Sequence, residues 1–154
     1  MTRVLVAGIG NIFFGDDGFG VEVARRLADA PPAGARVADF GIRALHLAYD
    51  LLAPIELCIV ADCMPRGDRP GTLYVLEPDV EAEPAEVGAG HGLSLPAVFS
   101  AVRQLGGRPP RTLVVGCEPE DTGPGIGLSD RVSAAVPHAI DLIHRLVHSS
   151  EASP

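Results

Sequence analysis

The chain has no tryptophan and no lysine, and all 12 of its basic residues are arginine. Because 20 residues are acidic, the formal net charge is -8. Nucleic acids and anionic membranes bind proteins through clustered positive charge, so this composition argues against either as a partner. No apolar run approaches the roughly 20 residues that a membrane helix needs. The composition is therefore that of neither a nucleic-acid-binding protein nor a membrane protein.

Cysteine is also scarce in this chain. Cys58, Cys63 and Cys117 are odd in number and have no zinc-type spacing, which is typical of a reducing compartment. The apolar start at 3–10 is too short for a signal-peptide core and lacks a small-residue cleavage site, so we expect a cytoplasmic protein. The 154 residues predict a single domain over 1–148 with a flexible tail at 149–154, and we expect a monomer.

Apolar periodicity predicts alternating strands and helices. Apolar runs typical of buried parallel strands occur at 3–7, 36–40, 56–61 and 112–116. Helical spacing recurs at 21–29, 43–52, 94–105 and after Ser129. A further strand at 72–76 follows its predecessor after about ten residues, too few for a parallel crossover. We predict a doubly wound α/β fold, a three-layer α/β/α sandwich with a mostly parallel sheet, one antiparallel edge strand and a last helix kinked or split at Pro137.

Acidic side chains follow two of the predicted parallel strands. In an open parallel sheet, ligands bind beyond the carboxyl ends of the strands, where the strand order reverses. Asp16 and Asp17 follow the first strand, and Asp62 ends the third. His91 precedes the helix at Ser94, which must begin at the same end of the sheet. A carboxylate of the first loop can therefore meet Asp62 and His91, and such a set suits a borderline divalent metal with open positions.

Each member of this set also has a purely structural interpretation. Asp17 can cap the helix entered at Gly18. Asp62 can be an ordinary turn residue at the end of a strand, and His91 can be a solvated loop histidine. Cys63, next to Asp62, is more typical of a buried structural thiol than of a metal ligand. The metal site thus depends on the predicted topology.

Seven short motifs cover nearly the whole chain in order. They are GIGN at 8–11, GDDGFG at 15–20, IVAD at 59–62, PGT at 70–72, GHGLS at 90–94, GCEP at 116–119 and GIGLS at 125–129, and the first two are the most specific. Together they resemble the motifs of the hydrogenase maturation endopeptidases. Members of that family remove a C-terminal extension from the large subunit of [NiFe] hydrogenases after nickel insertion.

The resemblance implies which residues bind metal. An acidic residue after the first strand, an Asp after the third and a loop His do so in the family, and these positions are Asp17, Asp62 and His91 here. The first position is often Glu in the family, so Asp17 is a shorter ligand. The resemblance also implies that the metal is the nickel already seated in the precursor and that only a nickel-loaded precursor is cut. We expect the same trio to be catalytic in an aspartic-type hydrolysis, with Asp16 as a helper by proximity alone.

The loop after the second strand departs from the family pattern. Some members have Asp-Gly-Gly-Thr there, in a loop that helps to select the partner hydrogenase. The residues of this chain are Asp39, Phe40, Gly41 and Ile42. The resemblance thus implies that Asp39, Gly41 and Ile42 bind the substrate, a [NiFe] hydrogenase large-subunit precursor.

Three other functions share some of these features. A response-regulator receiver domain also has paired acids and a phosphorylatable Asp, matching Asp16, Asp17 and Asp62, but it needs a Lys that this chain lacks. A dinucleotide-binding module would use a glycine-rich loop after the first strand, yet Phe13 occupies the place of its third glycine. A third alternative is a member of the same family that binds the precursor as a chaperone and does not cleave it.

Overall fold

The computed structural model describes residues 3–84 and 94–151. Four parallel strands are β1 (Val4–Ile9), β2 (Ala35–Gly41), β3 (Leu57–Cys63) and β5 (Arg111–Cys117), and a fifth strand is β4 (Leu73–Leu76). The helices are α1 (Phe19–Leu27), α2 (Ala44–Asp50), α3 (Leu95–Gln104) and α4 (Asp130–Glu151). A single 3-10 turn, Gly15–Gly18, connects β1 to α1.

The sheet has the order β2-β1-β3-β5-β4. Every neighbouring pair is parallel except β4 and β5, whose register places Leu73 opposite Cys117. The short connection after β3 thus leads into an antiparallel edge strand, as predicted. Because β1 is followed in the chain by β2 on one side and lies beside β3 on the other, the strand order reverses between β1 and β3.

Helices cover both faces of the sheet, which confirms the three layers. Alternate residues of β1 point to opposite sides, so Val4 packs in the core beneath α1 and α4 while Leu5 packs in the core beneath α2 and α3. All six residues of β1 are buried. A strand enclosed in this way needs apolar residues at successive positions, and this explains the unbroken apolar run in the sequence.

The last helix is continuous through Pro137. Pro137 lies inside α4, which runs without interruption from Asp130 to Glu151, so the predicted split is wrong. Proline removes one intrahelical hydrogen bond, but Pro137 is on the exposed side of the helix, where water can take the place of the missing donor. Burial of Val136 and Ile143 holds the helix on either side of it. Residues 149–151, expected in a flexible tail, are helical.

Candidate active site

The point at which the strand order reverses, between β1 and β3, is called the switch point below. Asp17 and Asp62 lie at the switch point, as the sequence predicted. Gly8 pairs with Ala61 in the parallel register of β1 and β3, and Asp62 is the next residue of β3. Asp17 belongs to the 3-10 turn that returns the chain from β1 to α1. Both carboxylates are thus held at the carboxyl edge of the sheet, and both are partly exposed.

Three glycines allow the turn to approach the sheet this closely. A Cβ atom at Gly10, whose φ is +135°, would lie 2.0 Å from the backbone oxygen of Asp17. At Gly20, a Cβ would lie 2.0 Å from the backbone oxygen of Ala61, and at Gly8 it would lie 2.2 Å from that of Gly20. Real Cβ atoms do not tolerate such distances, so the glycines of the first two motifs are required by backbone packing.

Asp17 is oriented by the loop that precedes it. The backbone N–H of Asn11 donates to Oδ2 of Asp17 at 2.8 Å. The N-cap of α1 is Gly18 and no side chain caps that helix, so the capping interpretation of Asp17 is wrong. Among the described residues, nothing donates a hydrogen bond to its second carboxylate oxygen.

Asp62 lies in an environment that disfavours its charge. Burial, and then the nearby carboxylate of Asp17, raise the pKa of Asp62 from 3.8 to about 8. Two carboxylates that repel each other in a partly buried site are stabilised when a cation binds between them. A raised carboxyl pKa beside a second carboxylate is also typical of catalytic pairs. An ordinary turn residue would be exposed to water and would keep its usual pKa.

Asp16 has a different environment from its neighbour. Its side chain is 1% exposed. It accepts hydrogen bonds from the backbone N–H of Glu120 (2.8 Å) and Asp121 (3.0 Å) and from both the backbone N–H (2.7 Å) and the hydroxyl (2.8 Å) of Ser129. Burial raises the pKa of Asp16, but these hydrogen bonds outweigh it and the pKa lies below its usual value. Asp16 anchors the loop between β5 and α4, and its predicted catalytic role gains no support from the geometry.

The third member of the predicted trio, His91, lies outside the described residues. Among the residues that are described, no group of three His, Cys, Asp or Glu side chains could hold a metal ion. Ser94 is the N-cap residue of α3, as expected, although its side chain makes no capping hydrogen bond. Because α3 ends shortly before β5 begins, the start of this helix lies at the carboxyl edge of the sheet, together with Asp17 and Asp62.

Known proteins resemble this chain along most of its length. A family model described as hydrogenase maturation protease (HycI) matches residues 21–146. The hydrogenase 2 maturation protease of Escherichia coli is 31% identical over 144 residues, which cover 92% of this chain and 88% of that protein. The hydrogenase expression/formation protein HupD of Rhodobacter capsulatus is 34% identical over 149 residues, 90% of this chain and 70% of that protein.

A solved structure is also similar. The hydrogenase maturating endopeptidase HybD from E. coli superposes with a TM-score of 0.82 at 28% identity, over 97% of this chain and 94% of that one. This chain belongs to the hydrogenase maturation protease family. It is an endopeptidase, and the receiver-domain and dinucleotide-binding alternatives are thereby set aside. None of the helices within residues 3–84 and 94–151 of the peptidase has the length and apolar composition of a membrane span.

The loop expected to select the substrate adjoins the acidic pair. The backbone N–H of Gly10 donates to the carbonyl of Gly41 at 3.0 Å, and Gly41 has a φ of +57°, which allows the chain to leave β2 sharply. Asp39 and Ile42 are exposed on either side of it. Their role in substrate binding stays a prediction, but they lie at the carboxyl edge of the sheet, as Asp17 and Asp62 do.

The thiols of the peptidase are poor nucleophiles. Burial, followed by the Asp17 and Asp62 carboxylates, raises the pKa of Cys63 far above its usual value. Burial also raises the pKa of Cys58 and of Cys117 to about 12. All three side chains therefore stay protonated at neutral pH, and this argues against a cysteine-protease mechanism.

Sequence reasoning missed one buried acid near the site. Glu118 is 5% exposed, and its Oε1 accepts hydrogen bonds from the backbone N–H of Arg66 (2.8 Å) and of Asp68 (3.1 Å) and from the hydroxyl of Tyr74 (2.6 Å). The Tyr74 hydrogen bond is the main reason that the pKa of Glu118 lies below its usual value. Glu118 thus holds the loop that leaves β3 just beyond Asp62. In the sequence, the only indication that Glu118 lies near the site is its position in the GCEP motif.

Proposed function

We propose that the peptidase removes the C-terminal extension of a [NiFe] hydrogenase large-subunit precursor after nickel has been inserted. The observation that carries the proposal is the pairing of Asp17 with Asp62 at the β1–β3 switch point, in a chain of the hydrogenase maturation protease family. The relatives named above support hydrogenase as the target, and a peptidase that acts during maturation needs a feature that distinguishes a finished metal site.

The donor set fits a borderline divalent metal. Asp17 and Asp62 supply carboxylate oxygens, and His91 is the proposed nitrogen ligand, a mixture that suits nickel better than magnesium or calcium. The nickel belongs to the precursor, so it enters the site as part of the substrate. When bound, such an ion supplies Lewis-acid chemistry at the scissile carbonyl.

The chain's own residues then have separate tasks. Asn11 fixes one oxygen of Asp17 through its backbone N–H and leaves the other for the ligand. Asp62, with a pKa of about 8, holds a proton at neutral pH until a cation displaces it, so it can act as a proton acceptor only in the loaded complex. Asp39 and Ile42 contact the body of the precursor and select it.

A cleavage assay tests the proposal. The peptidase is mixed with a nickel-loaded large-subunit precursor, and loss of the C-terminal peptide is followed by mass spectrometry. We expect cleavage by the wild type and none by Asp17→Ala, Asp62→Ala or His91→Ala. Asp29→Ala, a change in the exposed turn that follows α1, should cleave normally. Cleavage of a nickel-free precursor would refute the metal requirement. Binding without cleavage by the wild type would make the protein a chaperone instead.

A further inference from the structure

In the described parts of the chain, five exposed apolar side chains lie beyond the carboxyl edge of the sheet. Ile12, Phe13 and Phe14 follow β1, Ile42 follows β2, and Ile126 follows β5; we call these five residues the apolar rim. Phe13 is 61% exposed and Ile126 is 78% exposed. Single exposed apolar residues are common, but a group of them around a site marks a surface that binds another molecule.

Backbone pairing fixes the exposed position of the rim. The N–H of Gly15 donates to the carbonyl of Gly125 at 2.8 Å, and the N–H of Gly125 donates to the carbonyl of Phe13 at 2.9 Å. These bonds join the loop after β1 to the loop after β5, and Asp16 anchors the same two loops through Ser129. The side chains are thus presented before a partner binds, so little conformational entropy is lost on binding.

We propose that the apolar rim binds an apolar segment of the large-subunit precursor next to its scissile bond. This inference rests on the proposed function. The backbone N–H of Asp17 donates to the carbonyl of Phe14 at 3.1 Å, so the rim begins in the same turn that carries Asp17. A polypeptide whose scissile bond lies at the Asp17–Asp62 pair therefore has the rim as its neighbouring surface. Exposed aromatic side chains such as those of Phe13 and Phe14 are of the type that is enriched in protein interfaces.

A second copy of this chain is the competing occupant of the rim. A copy seated on Phe13 and Phe14 would occupy the turn that carries Asp17 and so compete with the precursor for the site. Such a dimer could not be the active form of the endopeptidase. The continuity of the rim with the candidate active site therefore favours the substrate.

Two rim substitutions and one matched control test the inference. Phe13→Ser and Ile126→Ser each replace an exposed apolar side chain of the rim, and Leu105→Ser replaces one of 43% exposure at the far end of α3. Thermal unfolding first verifies that each variant is folded. Cleavage kinetics are measured on the nickel-loaded precursor, and affinity for the precursor is measured in an Asp62→Ala background. We expect each rim variant to raise KM and Kd about 10-fold or more, while Leu105→Ser matches the wild type.

The outcomes separate this inference from the proposed function. If the wild type cleaves and the rim variants show its KM and Kd, the rim inference is overturned and the function stands. If the wild type binds the precursor without cutting it and the rim variants bind less tightly, the rim inference stands and the function falls. If the wild type neither binds nor cuts, both fall. A wild-type dimer in analytical ultracentrifugation that Ile126→Ser dissociates would assign the rim to self-association and overturn the inference.

Discussion

The raised pKa of Asp62 predicts how the stability of the metal-free peptidase depends on pH. The folded-state pKa of about 8 lies above the ordinary value of 3.8 that the unfolded chain has. Between these values the folded chain keeps a proton that the unfolded chain has lost, so this site makes the protein less stable as pH rises. One proton corresponds to about 1.4 kcal/mol per pH unit, and thus to about 3 kcal/mol between pH 5 and pH 7.

The substitution Asp62→Asn isolates this contribution. Asparagine has nearly the shape of the protonated acid and cannot ionise, so the variant lacks the loss of stability with rising pH. We expect the free energy of unfolding of Asp62→Asn minus that of the wild type to increase by about 3 kcal/mol from pH 5 to pH 7. Small domains have about 5–15 kcal/mol of stability in total, so an effect of this size is measurable.

Urea denaturation in the presence of a chelator provides the measurement. The chain has no tryptophan, so unfolding is followed by far-UV circular dichroism. Glu22→Gln is the control, because the hydrogen bond from Arg25 holds the pKa of Glu22 below its usual value. The stability that ionised Glu22 contributes is lost only as pH falls below about 4.5. The free energy of unfolding of Glu22→Gln minus that of the wild type should therefore stay constant between pH 5 and pH 7. If the corresponding difference for Asp62→Asn is also constant between pH 5 and pH 7, Asp62 is ionised in the folded chain. That result would refute the argument that burial and repulsion from Asp17 raise its pKa.

Two further predictions concern the neighbours of the acidic pair. Asp16→Asn places an amide group against N–H donors, so we expect the free energy of unfolding, measured by urea denaturation, to fall by about 3 kcal/mol or more. Ser129→Ala should lower it by about 1 kcal/mol. Equal stability of Asp16→Asn and the wild type would contradict the anchoring role of Asp16. Cys63→Ser should cleave the precursor at a rate within a few-fold of the wild type, because the thiol of Cys63 stays protonated, and iodoacetamide should not inactivate the wild type. A folded Cys63→Ser variant without activity in the mass-spectrometric assay would contradict this.

Patterns that extend over one element were readable in the sequence. The strand predicted at 36–40 is Ala35–Gly41, and the short connection before 72–76 correctly indicated the antiparallel strand Leu73–Leu76. These features depend on local periodicity and on the length of chain that a crossover needs. Pro137 shows the opposite case, because packing of its neighbours on the sheet overrides a local preference against proline.

The contacts that organise the site could not be inferred in this way. Asp16 and Ser129 are 113 positions apart, and Glu118 and Arg66 are 52 apart. Each contact joins two irregular loops, in which there is no periodicity to show which way a side chain points. The exposure of Phe13 was missed for the same reason, since an aromatic residue in a loop can pack inward or outward.

Asp16 and Asp17 show why roles at such a site require the three-dimensional arrangement. The two residues are adjacent and chemically identical, and both follow the same strand. Asp16 accepts four hydrogen bonds, so its charge is satisfied by the protein itself. Among the described residues, Asp17 accepts one and has a second carboxylate nearby, so a bound cation would stabilise its charge. Under the proposed function, Asp17 is therefore the member of the adjacent pair that would meet the metal of the substrate.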